Sequence, residues 1–132
     1  MHAQSVAHCP VKGSRCWRQL LLIATCLLGT LSCAPPEPVR IGFLGGLSGR
    51  VADLGIGGRN GAILAVEQRN RRDGINGRPI ELIAEDDQQD PEVAKQAVAR
   101  LIARPVEVII GPMTSAMAIA VVPQINATTI PL

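Results

Sequence analysis

Histidine, cysteine and aromatic side chains are nearly missing from most of this chain, and each gap removes a class of chemistry. The two histidines are His2 and His8, and no cysteine follows Cys33. Ser48 and Ser115 therefore have no later histidine to activate them as nucleophiles. A disulfide framework is excluded too, because it would spread cysteines through the folded part. Tyrosine is absent, and after Trp17 the one aromatic is Phe43, expected in the core. Acids are missing from residues 1–36, where Lys12, Arg15 and Arg18 stand alone.

That acid-free start leads into a 12-residue apolar run, Leu20–Leu31, too short for a permanent bilayer helix. A basic start, a short apolar core and small residues at its end describe a secretory signal peptide over residues 1–33. Its last four residues, Thr30-Leu-Ser-Cys33, are similar to a bacterial lipobox, whose cysteine is lipidated and becomes the new N-terminus. Cys33 is accordingly the expected lipidation site and a lipid anchor the expected tie to the membrane. Thr30 stands where leucine is usual, and ordinary cleavage nearby is the alternative. Cys26 is the weaker candidate, because Thr25 is large for the position before a cut. Residues 34–38, Ala-Pro-Pro-Glu-Pro, read as a Pro-rich, semi-rigid tether. The leader holds three of the 13 basic residues and none of the 11 acids. The chain beyond the leader is close to neutral and has no electrostatic footprint for nucleic acid.

From Val39 onward one unit repeats: an apolar strand, a turn, a helix-patterned stretch. The strands are Val39–Leu44, Pro79–Glu85 and Val106–Ile110, and a fourth is expected near Thr129–Leu132. The first helix is expected from about Gly57 to Arg71, after a glycine-dense loop from Gly45 to Gly55. Asp73-Gly74 and Asn76-Gly77 then mark turns. In the second helix Asp90 is the N-cap, Pro91 takes the first position, and Val93, Ala94, Ala97, Val98, Leu101 and Ile102 form an apolar stripe. The third begins at Thr114 or Ser115 and is apolar nearly all round to Val122, so deep burial or contact with another domain is expected. Pro123 should kink or end it. Strands alternating with helices give an α/β, Rossmann-like parallel sheet flanked by helices. Three and a half such units read as the N-terminal part of a longer protein.

In such sheets ligands bind beyond the carboxyl ends of the strands, so the loops after Leu44, Glu85 and Ile110 carry the function. A nucleotide is the first ligand to test. Gly42, Gly45, Gly46 and Gly49 do not make the Gly-x-Gly-x-x-Gly fingerprint, and Gly55-Ile-Gly-Gly-Arg-Asn60 fails at its last position. No glycine loop is followed by Gly-Lys-Ser/Thr, so a Walker loop is absent and no cofactor is expected. Asp86, Asp87 and Asp90 could hold a cation, but a strand end followed by a helix cap explains them equally, and no metal is assigned. Gly111-Pro-Met-Thr-Ser115 has the most specific chemistry. It leads into a helix N-terminus, where free N–H groups and the dipole favour an anion and two hydroxyls add donors. Simple capping by one hydroxyl is the alternative.

Four stretches resemble the type I periplasmic binding proteins, in particular the branched-chain amino-acid-binding (leucine-binding-like) group of ABC transporter receptors. They are Ile41-Gly-Phe-Leu-Gly-Gly-Leu-Ser-Gly49, Asp73-Gly-Ile-Asn-Gly-Arg-Pro-Ile-Glu-Leu82, Asp86-Asp-Gln-Gln-Asp-Pro91 and Val108-Ile-Ile-Gly-Pro-Met-Thr-Ser115. The resemblance covers residues 39–132 and implies an incomplete N-terminal lobe, one of two α/β lobes that close on a small ligand. It implies that Ser115 matches the serine holding a ligand α-carboxylate, with Met113 and Thr114 flanking the same pocket. It also implies that the loop after the first strand, with Ser48, lines the cleft. Leu54 stands where an aromatic side chain often covers the ligand. The implied partners are a small-molecule ligand, an amino acid or similar carboxylate, and ABC permease subunits; no enzyme activity is implied. A ligand-binding sensory module of a receptor or kinase with the same fold stays open.

Overall fold

The structure, a computed structural model, describes residues 35–50 and 52–132. The expected signal peptide, with Cys26 and the lipidation site Cys33, lies outside the described residues. Three strands, β1 (Val39–Gly45), β2 (Ile80–Asp86) and β3 (Val108–Ile110), alternate with three helices, α1 (Ala52–Asn70), α2 (Pro91–Ile102) and α3 (Ser115–Asn126). The sheet is parallel in the order β2-β1-β3. Val39 lies opposite Ile80 and Gly45 opposite Asp86, while Ile41 lies opposite Val108. The middle strand of a covered parallel sheet is buried on both sides. Phe43 and Leu44, neighbours on opposite faces, are accordingly both 0% exposed.

Alternation along the strands assigns the helices to faces. A Cβ on Gly42 would touch Leu101 of α2 and Ile109, whereas Gly58 of α1 sits beside Phe43. So α1 covers the Phe43 face, and α2 with α3 covers the Leu44 face. The main core lies on the second side, where Leu44, Ile83 and Ile109 meet Ala94, Ala97, Val98, Leu101, Met117, Val121 and Ile125. Asp90 caps α2 as its sequence foretold: Oδ1 accepts from Glu92 N at 2.8 Å and Val93 N at 3.0 Å, and Pro91 takes the first position.

The start of the first helix and the fourth strand need correction, and two alternatives for α3 are narrowed. Helix α1 begins at Ala52, so Leu54 and Gly55 are helical and not part of a loop. Helix α3 runs through Pro123 to Asn126, so of the expected kink or end it is not the end, and the stripe Met117, Val121 and Ile125 is buried. Ile119 is 78% exposed, so of deep burial or contact with another domain, burial all round is not what this helix shows. The expected fourth strand does not form. Residues 129–132 have no strand geometry, but Ile109 N donates to Pro131 O at 3.0 Å, which lays the segment along the open side of β3.

The amino edge of the sheet is tied to the tether. Arg78 donates from Nε to Glu37 O at 2.9 Å and from Nη2 to Pro38 O at 3.3 Å and Glu107 Oε1 at 2.9 Å. Arg40 bridges Glu37 at 3.1 Å and Glu81 at 3.0 Å. Such exposed pairs contribute little individually, but two of Arg78's bonds reach backbone carbonyls and fix where the chain enters the sheet.

Candidate functional site

The carboxyl edge carries three loops, residues 46–50, 87–90 and 111–114, after β1, β2 and β3 respectively. The expected ligand-binding residues Ser48, Leu54, Met113, Thr114 and Ser115 lie on these loops or in the first turn of the adjoining helix. Ser48 is exposed and its hydroxyl donates to Asp86 Oδ2 at 2.6 Å. Leu54 is in the first turn of α1 and 54% exposed. Met113 lies with its sulfur beside Gly58 of α1 and its Cγ beside Gly45, both glycines also lying next to the Phe43 ring. Its apolar stem thus anchors the third loop to α1.

Thr114 is the N-cap of α3 with extended backbone (φ −130°, ψ 146°), and its side chain makes no capping bond. Its hydroxyl donates instead to Gln89 Oε1 at 3.2 Å. Ser115 takes the first helical position and is exposed. The first bond of the helix runs from Ala118 N to Thr114 O at 3.0 Å, so the N–H groups of Ser115, Ala116 and Met117 precede it. They point out of the helix end, where the dipole favours negative charge. The simple capping alternative for Thr114 is therefore not what the structure adopts.

The aspartates of Asp86-Asp-Gln-Gln-Asp90 divide three structural tasks. Asp86 Oδ1 accepts from Leu47 N at 2.7 Å and Gln88 N at 2.9 Å, which with Ser48 ties the first loop to the second. Asp87 is fully buried; its Oδ1 accepts from Gln89 N at 2.8 Å and Gln89 Nε2 at 2.9 Å, and its Oδ2 meets no donor among the described residues. Asp90 caps α2. The oxygens that are bonded take their hydrogens from different segments, and no cluster suited to a metal ion occurs among the described residues. Asp86 was weighed from sequence only as a possible cation ligand, and Gln89 was given no role of its own. The signal for Asp86 was its place at a strand end; for Gln89 it was its place in the family-like stretch Asp86–Pro91.

Burial pushes the Asp86 carboxyl upward, but hydrogen bonds from the Ser48 hydroxyl and from the Gln88, Leu47 and Ser48 backbone outweigh it and hold the group below the usual carboxylate range. A folded-state value below the unfolded one stabilises the fold above pH about 4 and loses that contribution as pH falls through the lower value. Asp86→Asn is expected to cost about 1–2 kcal/mol at pH 7, a gap that narrows on acidification. Urea unfolding at pH 7 and pH 3 checks this, and an equal gap at both would show that charge is not involved.

Comparison with known proteins places this geometry. The family described as periplasmic binding protein matches residues 38–132. The chain is similar to the Leu/Ile/Val-binding protein BraC3 of Rhizobium johnstonii, 32% identical over 104 residues, which cover 77% of this chain and 28% of that protein. Among solved structures it is similar to the branched-chain amino-acid transporter substrate-binding protein LivJ of Streptococcus pneumoniae in complex with isoleucine. That match has 31% identity and a TM-score of 0.70, covering 73% of this chain and 28% of that one. It is also similar to a fatty acid ABC transporter substrate-binding protein of Thermomonospora curvata, at 28% identity and TM-score 0.65, covering 72% and 25%. The chain thus spans about a quarter of the length of these relatives.

Proposed function

Because the chain belongs to the periplasmic binding protein family, in the type I group of the Leu/Ile/Val-binding proteins, we propose that residues 39–132 contribute the N-terminal lobe of an extracytoplasmic solute receptor for an ABC importer. The ligand is an amino acid or a related small carboxylate, held without covalent chemistry as a second lobe closes over the carboxyl edge of this sheet. Cys33 serves as the lipid anchor and the Pro-rich residues 34–38 as the spacer, with ABC permease subunits as partners.

One observation carries the ligand class: the uncapped start of α3, with Ser115 and three leading N–H groups at the carboxyl edge. That arrangement accepts an anion. Two relatives named for different ligands, isoleucine and fatty acid, have in common a carboxylate joined to an apolar body. In this chain Leu54 and Met113 offer apolar surface on either side of the same edge, and Ser48 borders it.

Isothermal titration of the full-length gene product tests the proposal against branched-chain amino acids, other amino acids, their amides and short carboxylates. Carboxylates are expected to bind and the matching amides to fail. Ser115→Ala is expected to weaken carboxylate binding about 10- to 100-fold, the worth of a hydrogen bond to a charged group. Equal affinity for acid and amide, or an unchanged Ser115→Ala variant, would sink the assignment.

A further inference from the structure

We infer that Gln89 is a positioning residue that keeps the end of α3 open for its ligand by holding the Thr114 hydroxyl away from the helix. The inference rests on the carboxylate reading of Ser115.

Three loops built on three strands must meet in one geometry, and a single side chain touches all of them. Gln89 Oε1 accepts from Thr114 Oγ1 at 3.2 Å, and Nε2 donates to Asp87 Oδ1 at 2.9 Å. The same amide lies over Gly46, where a Cβ would come within 2.8 Å of Nε2. The amide cannot be turned round. Asp87 Oδ1 already accepts from the Gln89 backbone N–H, so the NH2 group faces that same accepting oxygen and the carbonyl oxygen faces Thr114. Thr114 is then obliged to donate its one proton to Gln89.

Gln89 is itself held firmly. Its backbone is left-handed (φ +57°), following Gln88 at φ +50°, and its own N–H donates to the same Asp87 oxygen at 2.8 Å. Asp87 is fully buried and takes both its hydrogen bonds from Gln89. A buried carboxylate with these two donors cannot release either cheaply, so the orientation is locked.

The consequence falls on α3. A threonine at an N-cap with extended backbone ordinarily accepts from the N–H of the second or third helical residue, here Ala116 or Met117. Thr114 has that backbone but not that bond. Without Gln89 its hydroxyl is free to rotate onto those N–H groups, and the helix would cap itself with the donors a carboxylate needs.

The test uses the full-length gene product with leucine and a short carboxylate as probes, and amide hydrogen exchange of the ligand-free protein. Gln89→Ala is expected to slow exchange at Ala116 and Met117 and to weaken binding about three- to tenfold, the worth of one hydrogen bond. Gln89→Asn tolerates the left-handed backbone but is too short to reach Thr114, so it should behave alike even if the alanine variant folds poorly. Adding Thr114→Ala to either variant should restore fast exchange at Ala116 and Met117, which no general loosening of the loop would do. Unchanged exchange in both Gln89 variants, or slowed exchange that Thr114→Ala does not relieve, would overturn the inference. If wild type binds neither probe while exchange still slows as described, the Ser115 reading fails and the steering of Thr114 by Gln89 is upheld.

Discussion

Replacing Gly111 by alanine should destabilise the fold by roughly 3 kcal/mol or more and abolish ligand binding with it. Gly111 follows β3 with φ +106°, a conformation that side-chain-bearing residues rarely adopt. An added Cβ would also drive into the carbonyl oxygen of Leu44, a backbone atom of the central strand. That strand is paired on both sides and cannot give way. The strain must therefore be relieved by the loop, which carries Met113, Thr114 and Ser115 into the site. Denaturant unfolding and titration of the same sample measure both effects. A variant of wild-type stability would show that the loop turns without glycine's freedom. A stable variant that still binds would show that the loop does not set the site.

The second large effect reverses a general rule within one helix. Alanine in place of an exposed helical glycine ordinarily stabilises by about 0.5–1 kcal/mol. Gly61→Ala in α1 should do so, because no atom lies within 4 Å of its Cβ position. Gly55→Ala, six residues earlier in the same helix, should instead destabilise by roughly 2 kcal/mol or more. Gly55 is the buried residue of α1, and its Cβ would enter the carbonyl group of Gly46. Backbone against backbone leaves no rotamer to absorb the overlap, so α1 must lift from the first loop. Thermal or urea unfolding of the two variants gives opposite signs if this close approach is real. The same sign for both would refute it.

That contact also explains what sequence could and could not disclose. The first three strands and α2 were legible because their causes are local: continuous apolar runs for a covered sheet, and Asp90-Pro91 ahead of a regular stripe. The first turn of α1 was not, since Gly55 argues against a helix by propensity and the helix was expected only from about Gly57. Packing of Gly55 on Gly46, a tertiary cause, overrides that propensity. The apolar run Ala116–Val122 foretold a helix, but which residues it buries depends on where α2 lies, and that is a property of the sheet. In the site, Ser115 was legible as a hydroxyl at a helix start, and the family resemblance gave it a role. Gln89 was not. Its part depends on a left-handed backbone and on Thr114, 25 residues away.

The clamp of Arg78 on the carbonyls of Glu37 and Pro38 decides how the domain carries load. The chain enters at the middle strand, at the edge opposite the three loops. A pull through residues 36–38 is directed along β1, so it is borne in shear by both neighbouring ladders together and not by unzipping bonds one at a time. The carboxyl edge, where Gly46, Gln89 and Thr114 meet, is the last part of the sheet to feel that force. Force entering at residues 36–38 is thereby kept from the end of the sheet where α3 begins.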